Sequence, residues 1–324
     1  MLLSIIACMQ VLYMRRKGAV LMYEPRRPVP WGAIGGILAM TFVAIPVIST
    51  FTASPGDQDA SSQSVELSSL IAGMVVQLFL VIGFAAVIAL FTKASLRDLG
   101  LPASIRQAFR DVGIGAAACL TALAPVLLLQ QMLMHLLFPD RGQSGHPLIK
   151  TVMNAPPDPW ILILSGVFAV VVAPVCEEIT FRLLLQGWLE RWEDARLGWR
   201  RKPTNVPVDE DSPAVDGETQ VLSEPLNQPA VCSVVVDDTT SETDPPRMGI
   251  AGLPYGWLPI IVSAIMFGLA HFGYGPEPIP LFLLALVLGF LYQRTHRIIP
   301  SIVTHALFNL FSMILLWRMV YHYG

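Results

Sequence analysis

Long windows of apolar residues without a charged side chain dominate the chain, and short polar stretches separate them. An α-helix rises 1.5 Å per residue, so about 20 such residues cross a hydrocarbon core of about 30 Å. Six windows are of this kind: residues 31–53, 67–92, 112–139, 159–176 continuing into 181–189, 248–276 and 298–317. Two shorter windows, residues 1–14 and 278–293, bring the expected number of spans to about eight. The pattern therefore predicts an all-α protein, a polytopic transmembrane helical bundle.

Basic residues between the windows predict the orientation of the bundle. They fall in every second loop, at residues 15–27, 93–110, 191–202 and 294–297, whereas the intervening loops hold few or none. Because Lys and Arg mark the cytoplasmic side of short loops, this alternation predicts that both termini lie outside. The first window precedes its basic cluster instead of following one, so we interpret it as a retained anchor and not as a signal peptide.

The composition agrees with a membrane protein. Of the 324 residues, 54% are hydrophobic and 14% are charged, and the mean hydropathy is +0.58. Soluble domains carry about 25% charged residues, so the composition argues against a soluble protein. The four cysteines, at positions 8, 119, 176 and 232, show no paired spacing. The sequence therefore indicates neither a disulfide framework nor a thiolate metal site.

One segment breaks the apolar pattern. From about residue 194 to 247 the chain is rich in Pro, Ser, Thr and acidic residues, and residues 203–247 hold ten Asp or Glu against one Arg. Such a segment cannot bury enough apolar surface to fold alone. We interpret residues 194–247 as a disordered acidic cytoplasmic insertion. The remaining domains are then the N-terminal membrane spans, residues 1–158, and a helical core formed by residues 159–193 and 248–324.

Adjacent glutamates end the charge-free run 159–176. An ionisable group at the centre of a bilayer costs about 2.5 to 3.5 kcal/mol, so a chain keeps one there only when it is paired or used. Glu178 can pair with Arg182 one helical turn later, either as a structural ion pair or in support of a site. Glu177 has Phe181 at the corresponding position and therefore no partner of this kind. This cluster is the first candidate for chemistry.

Two further windows each carry a histidine. His271 lies near the end of the window 248–276, and His305 is followed four residues later by Asn309, on the same helical face. Either histidine alone is more simply a neutral side chain that hydrogen-bonds between helices. The occurrence of all three polar groups, on three separate spans, favours a shared site instead.

The depth of these groups in the membrane tests that idea. Glu177 and His271 each lie fourteen residues from the predicted cytoplasmic end of their span, at Arg191 and Trp257, or roughly 21 Å. His305 lies eight residues from the end of its span, or roughly 12 Å. A tilted span or a submerged loop closes much of this gap. We therefore expect one cavity that opens towards the cytoplasm.

The residue types fit two hydrolytic chemistries. A carboxylate in a low-dielectric cavity can take a proton from water, and a histidine can share that proton or return it to a leaving amine. A second histidine with an asparagine can stabilise a developing oxyanion. Two histidines and a glutamate could equally form a catalytic zinc site with one open position. The residue types alone do not choose between these chemistries.

Taken in order, these residues resemble the three signature motifs of the CPBP family, the type II CAAX prenyl protease and Abi bacteriocin-processing group of intramembrane proteases. The motifs are Glu177-Glu178-x-x-x-Arg182, Phe267-x-x-x-His271 and His305-x-x-x-Asn309. The resemblance covers roughly residues 160–317. The chain departs from the family pattern in the long acidic insertion between the first two motifs and in Leu183, where the family often has glycine.

The resemblance implies an endopeptidase that works inside the membrane on lipidated or leader-bearing polypeptides. The roles that it implies are a general base on water for Glu177, assisted by His271, and oxyanion stabilisation by His305 and Asn309. Glu178 and Arg182 would be supporting residues of the catalytic group. For the family both a metal-free glutamate mechanism and a zinc mechanism are proposed, so the expected cofactor is zinc, held by Glu177, His271 and His305, or none.

The expected surroundings follow from the same resemblance. We expect an integral protein of a bacterial plasma membrane whose active site faces the cytoplasm, whose partners are the lipid bilayer and membrane-associated peptides, and which binds no nucleic acid. A non-catalytic scaffold or immunity protein of the same fold is one alternative. A proton-coupled transporter is another, because Glu and His relays also occur there, although the sequence shows no repeated halves.

Overall fold

A computed structural model describes residues 21–25, 28–52, 67–137, 159–199, 245–272 and 278–323 of the chain. This part contains seven principal helices: α1 (Ala33–Thr52), α2 (Leu67–Thr92), α3 (Ile105–Leu137), α4 (residues 159–197), α5 (Trp257–Ala270), α6 (Pro278–Thr295) and α7 (Ile299–Tyr323). Within these described ranges there is no β-strand, only an isolated bridge between Met248 and Pro254. The predicted all-α fold class is confirmed.

Among the described residues, five helices are long and apolar enough to cross a membrane: Ile71–Thr92, Ile105–Leu136, Trp160–Leu197, Pro278–Thr295 and Ile299–Arg318. The polytopic transmembrane bundle is therefore confirmed, with fewer crossings of this length in the described part of the chain than the eight expected. The predicted anchor, residues 1–14, lies outside the described residues. The orientation of the termini stays a prediction.

The window 248–276 forms a shorter helix than a complete span. Helix α5 has 14 residues, which corresponds to about 21 Å of rise. It begins only at Trp257 because the preceding chain turns: Gly252 and Gly256 have φ values of 72° and 82°, and a short 3₁₀ segment, Ile250–Gly252, lies between Gly249 and Leu253. A positive φ is accessible to glycine at little cost, so these glycines set the start of the helix.

Helix α4 lies at the centre of the bundle and contacts α1, α2, α5, α6 and α7. Every residue from 180 to 187 is buried, on all sides of the helix. A helix surrounded in this way must pair its polar side chains with its neighbours, because no solvent reaches them. The polar residues of α4 are therefore fixed by tertiary contacts along its whole central part.

Two π-helical segments interrupt α4, Phe168–Val172 and Ile179–Gln186, and the two glutamates lie between them. In the first segment the Ala173 N–H donates to the Phe168 carbonyl, five residues back. Pro174 follows and has no N–H, so the next carbonyl, that of Ala169, loses its π-helical donor. Such segments in α-helices are often found at functional sites.

Close helix approach positions α7, which carries the second histidine motif. At Gly115 on α3 an added Cβ would lie 2.7 Å from the Pro300 carbonyl oxygen and 2.8 Å from Val303 Cβ. The Thr304 hydroxyl donates to the Gly115 carbonyl at 2.9 Å. Because glycine has no side chain, α7 can approach the backbone of α3 closely enough for this hydrogen bond, as is usual between membrane helices.

The chain segments that flank residues 200–244 contact each other. Helix α4 continues to Leu197, and the Tyr255 hydroxyl donates to Asp194 at 2.5 Å. The Trp199 and Tyr255 rings meet edge to face, 5.2 Å apart. Glu193 accepts hydrogen bonds from the N–H groups of Ile250 and Gly256. Residues 200–244 lie outside the described residues, so the disordered insertion and the domain division stay predictions.

We expect Gly115→Ala to lower the free energy of unfolding by about 1–3 kcal/mol, because the backbone of α3 or α7 must shift to admit the methyl group. Thermal unfolding of the purified protein in detergent measures the effect. Gly113→Ala is the matched control, two residues away on the same helix, where no described atom beyond the nearby backbone of α3 lies within 4 Å of an added Cβ. The control should be neutral or slightly stabilising. Equal melting temperatures for the two variants would contradict the close approach.

Candidate active site

Glu178 and Arg182 form a buried ion pair at the centre of the site. The Arg182 Nε donates to Glu178 Oε2 at 3.1 Å, and both side chains are 0% exposed. Burying either charge alone costs several kcal/mol, so each residue depends on the other. The pairing expected from the spacing of four residues is thus present in the structure.

His305 joins this pair from α7. Its Nδ1 lies 3.0 Å from Glu178 Oε1, and its Nε2 lies 3.8 Å from Glu177 Oε2. An ionised carboxylate only accepts hydrogen bonds, so beside an ionised Glu178 it is the Nδ1–H of His305 that donates. The imidazole is therefore held by one glutamate and faces the other. This contact removes the difference in depth expected from the sequence, because His305 lies at the level of both glutamates.

Glu177 has different surroundings from its neighbour. Its side chain is 23% exposed, and its Oε2 is buried without a hydrogen-bond partner among the described residues. The distance of 3.8 Å to His305 Nε2 is too long for a direct hydrogen bond. Of the two glutamates, Glu178 is fixed by its partners, whereas Glu177 keeps an oxygen for a reactant.

The ring of Phe267 connects the histidines. It is 0% exposed, and its centroid lies 4.9 Å from the His271 ring and 5.7 Å from the His305 ring. The Phe181 ring lies 5.0 Å away, edge to face, and the Arg182 guanidinium lies 5.5 Å from the centroid. Aromatic pairs and cation–π contacts each add to the stability gained from burial. Phe267 therefore fixes the separation of the two imidazoles.

His271 lies at the C-terminal end of α5, and its Nδ1 lies 2.8 Å from the carbonyl oxygen of Phe267. A carbonyl oxygen can only accept, so Nδ1 carries the proton in this hydrogen bond. In the neutral ring Nε2 is then the nitrogen with the lone pair. His271 is consequently arranged to accept a proton at Nε2.

Asn309 lies one turn beyond His305 on α7. Its Nδ2 donates to the Ala169 carbonyl at 2.8 Å, the carbonyl that loses its π-helical donor at Pro174. An unpaired buried carbonyl would cost about 1–3 kcal/mol, so this bond joins α7 to α4 beside the glutamates. The carboxamide retains a second N–H and its oxygen for other partners.

Ser263 is a residue of this site that the sequence motifs do not contain. Its hydroxyl accepts from Arg182 Nη1 at 2.9 Å and donates to the Phe181 carbonyl at 2.9 Å, and it is fully buried. It thus completes a chain of contacts from α5 through Arg182 and Glu178 to His305. The signal that could have found it is its spacing: Ser263, Phe267 and His271 recur every four residues on one face of α5.

The expected zinc ligands do not form a metal site in this geometry. Within the part of the chain that the structure describes, no group of three His, Cys, Asp or Glu side chains is arranged to hold a metal ion. His305 uses Nδ1 for Glu178, and its Nε2 lies 3.8 Å from Glu177 Oε2, so the two atoms do not share a coordination position. We therefore derive no step through a metal.

The structure brings together four of the six predicted site residues by direct contact, Glu177, Glu178, Arg182 and His305. His271 joins them through the Phe267 ring, and Asn309 joins through the backbone of α4. Their catalytic roles remain predictions.

Comparison with known proteins gives one family. The family model described as type II CAAX prenyl endopeptidase Rce1-like matches residues 159–203 and 247–311, so the N-terminal 158 residues lie outside the match. Neither the curated proteins nor the solved structures contain a significant match to the chain. The matched ranges hold every residue of the cluster described above. Over these residues, about a third of the chain, the protein is similar to the Rce1-like type II CAAX prenyl endopeptidases.

Proposed function

We propose that this membrane protein is an intramembrane endopeptidase that hydrolyses peptide bonds with a glutamate-activated water. The observation that carries the proposal is the position of His305, which binds the fixed Glu178 through Nδ1 and faces the free oxygen of Glu177 with Nε2. The family match supports a protease. A purely structural ion pair explains Glu178 and Arg182, but it gives no reason for a second, incompletely paired glutamate in an apolar helix.

Glu177 is the general base. Its Oε2 takes a proton from water while the water oxygen attacks the carbonyl carbon of the scissile bond. His271 assists, because the hydrogen bond from its Nδ1 to Phe267 leaves Nε2 as the acceptor in the neutral ring. In this role His271 shares the proton that Glu177 removes from the water.

His305 and Asn309 stabilise the oxyanion of the tetrahedral intermediate. Glu177, Glu178 and Arg182 together carry one net negative charge, and a doubly protonated His305 brings the buried cluster to neutrality. The His305 Nε2–H then donates to the substrate oxygen, and the free N–H of Asn309 provides a second donor. The distance of 3.8 Å from Nε2 to Glu177 leaves this donor available.

One proton moves during the reaction, from the attacking water to the leaving amine, and Glu177 carries it. The proton that Glu177 takes from water passes to the nitrogen of the leaving amine as the C–N bond breaks, and the tetrahedral intermediate collapses to a carboxylic acid. The products are a new carboxyl terminus and a new amino terminus. No oxidant, reductant or second substrate is needed.

The substrates that we propose are membrane-associated polypeptides, either lipidated tails or leader-bearing peptides. The support comes from the family match and from the position of the site on apolar helices, which a soluble peptide does not reach readily. A location in a bacterial plasma membrane, with the site open to the cytoplasm, remains part of this proposal. It rests on the pattern of basic loops.

Adjacent glutamates should respond differently to the same substitution. We expect Glu177→Gln to lower kcat for cleavage of a membrane-inserted peptide by about 10²–10⁴, the usual contribution of a general base, and to leave thermal unfolding unchanged. Glu178→Gln removes the partner of a buried arginine and should lower the free energy of unfolding by about 3–5 kcal/mol as well as the activity. Full activity of Glu177→Gln would reject the proposed base.

Ser263 should act as a positioning residue. Ser263→Ala leaves Arg182 Nη1 without its acceptor, so we expect kcat to fall while KM for the peptide changes little. Ser263→Thr keeps the hydroxyl and should restore part of the activity. If KM rises and kcat stays constant, or if threonine does not restore activity in a folded protein, Ser263 does not act through Arg182.

Chelation should distinguish the two chemistries that the sequence allowed. Because the histidines and glutamates do not form a ligand cluster, we expect prolonged dialysis against a strong chelator to leave cleavage unchanged. Metal content is measured in the same samples by mass spectrometry. Loss of activity that returns on addition of zinc would reject the metal-free mechanism and leave the assignment of Glu177 to be tested separately.

A further inference from the structure

An apolar groove lies between α4 and α5, away from the cluster of glutamates. Its volume is about 300 Å³, and it is lined by Trp188, Leu189, Trp192, Leu258, Pro259 and Val262. Trp188 follows Glu177 by eleven residues, a rise of roughly 16 Å towards the basic end of α4. The groove is therefore separate from the proposed active site and closer to the predicted cytoplasmic interface.

The groove has one fixed wall and one open end. Trp188 is held by α1, since a Cβ added at Gly36 would lie 2.2 Å from its ring. Pro259 is buried at the start of α5. Trp192 is 38% exposed and forms the open end. Tryptophan at a membrane interface places its apolar ring towards the acyl chains and its polar edge towards the headgroups.

An exposed cationic side chain lies at the open end. The Arg196 guanidinium lies over the Trp192 ring, 5.1 Å from its centroid, and the residue is exposed. The neighbouring carboxylates of Glu193 and Asp194 are buried and bind other partners, so the exposed charge beside Trp192 is that of Arg196. Glu193 accepts from two backbone N–H groups, and Asp194 accepts from the Tyr255 hydroxyl.

We propose that this groove binds an anionic phospholipid, with an acyl chain between Trp188 and Val262 and the headgroup phosphate against Arg196. The apolar lining matches a hydrocarbon chain, and the guanidinium at the rim matches a phosphate. A zwitterionic lipid fills the groove equally well but gains less from the charge. A lipid in the groove also covers Val262 on α5, next to Ser263, which binds Arg182 on α4. Lipid binding would thereby stabilise the packing of α5 against α4.

Native mass spectrometry of the full chain tests this proposal without any assay of proteolysis. The protein is released from micelles that contain phosphatidylglycerol and phosphatidylcholine with identical chains, in equal amounts. We expect phosphatidylglycerol to be retained about fivefold over phosphatidylcholine, the effect of one cationic side chain near an anionic headgroup. Arg196→Gln should remove this preference, whereas Arg106→Gln, at an exposed arginine on α3, should keep it.

A second pair of variants tests the groove itself. Val262→Trp should fill it and lose most of the retained lipid of both kinds, whereas Ile265→Trp, at a residue of the same helix that is 45% exposed, should retain it. Leu258→Trp provides a second filling variant if Val262→Trp does not fold, as judged by thermal unfolding. Equal retention of the two lipids by the unaltered protein, or unchanged retention in a folded filling variant, would overturn the proposal. So would displacement of the lipid by glycerol phosphate, which carries the charge without the chains.

Discussion

A fully buried carboxylate, Glu178, is the constraint on which the site depends. Its two oxygens bind Arg182 on the same helix and His305 on α7, so one residue fixes a cation and an imidazole at once. A buried charge without partners is expensive, and here the partners are themselves held. Arg182 binds Ser263 and lies over the Phe267 ring, and the His305 ring packs against the same phenylalanine. The cost of burial thereby forces α4, α5 and α7 into a single relative arrangement.

The backbone of α4 adapts to this arrangement. The π-helical segments on either side of the glutamates leave carbonyl groups that no α-helical N–H satisfies, and Pro174 removes one more donor. Asn309 satisfies the Ala169 carbonyl, so an irregularity of the backbone becomes a contact between helices. The same asparagine stands one turn from His305, which connects the irregular backbone to the proposed oxyanion donors.

Much of the fold could be predicted from hydropathy, because charge-free windows of about 20 residues have few alternatives in a bilayer. The window 67–92 became α2 with the same bounds. The window 248–276 did not, since its glycines adopt positive φ and its helix starts at Trp257. Hydropathy measures the apolar character of a segment, and glycine-rich turns within an apolar segment do not change it. For the window 248–276, hydropathy therefore predicts a longer helix than the 14 residues of α5.

The sequence by itself determined the class of protein, the positions of most helices and the polar residues that a membrane does not tolerate without a role. The spacing of four residues also determined the pair of Glu178 with Arg182, because that contact is local to one helix. Only the tertiary structure decided that Glu178 and not Glu177 binds His305, and that Ser263 completes the chain of hydrogen bonds. These contacts join residues separated by 127 and 81 positions, and they depend on how the helices rotate and cross. No pattern within one helix determines that rotation, since it is set by packing at positions such as Gly36 and Gly115 on other helices.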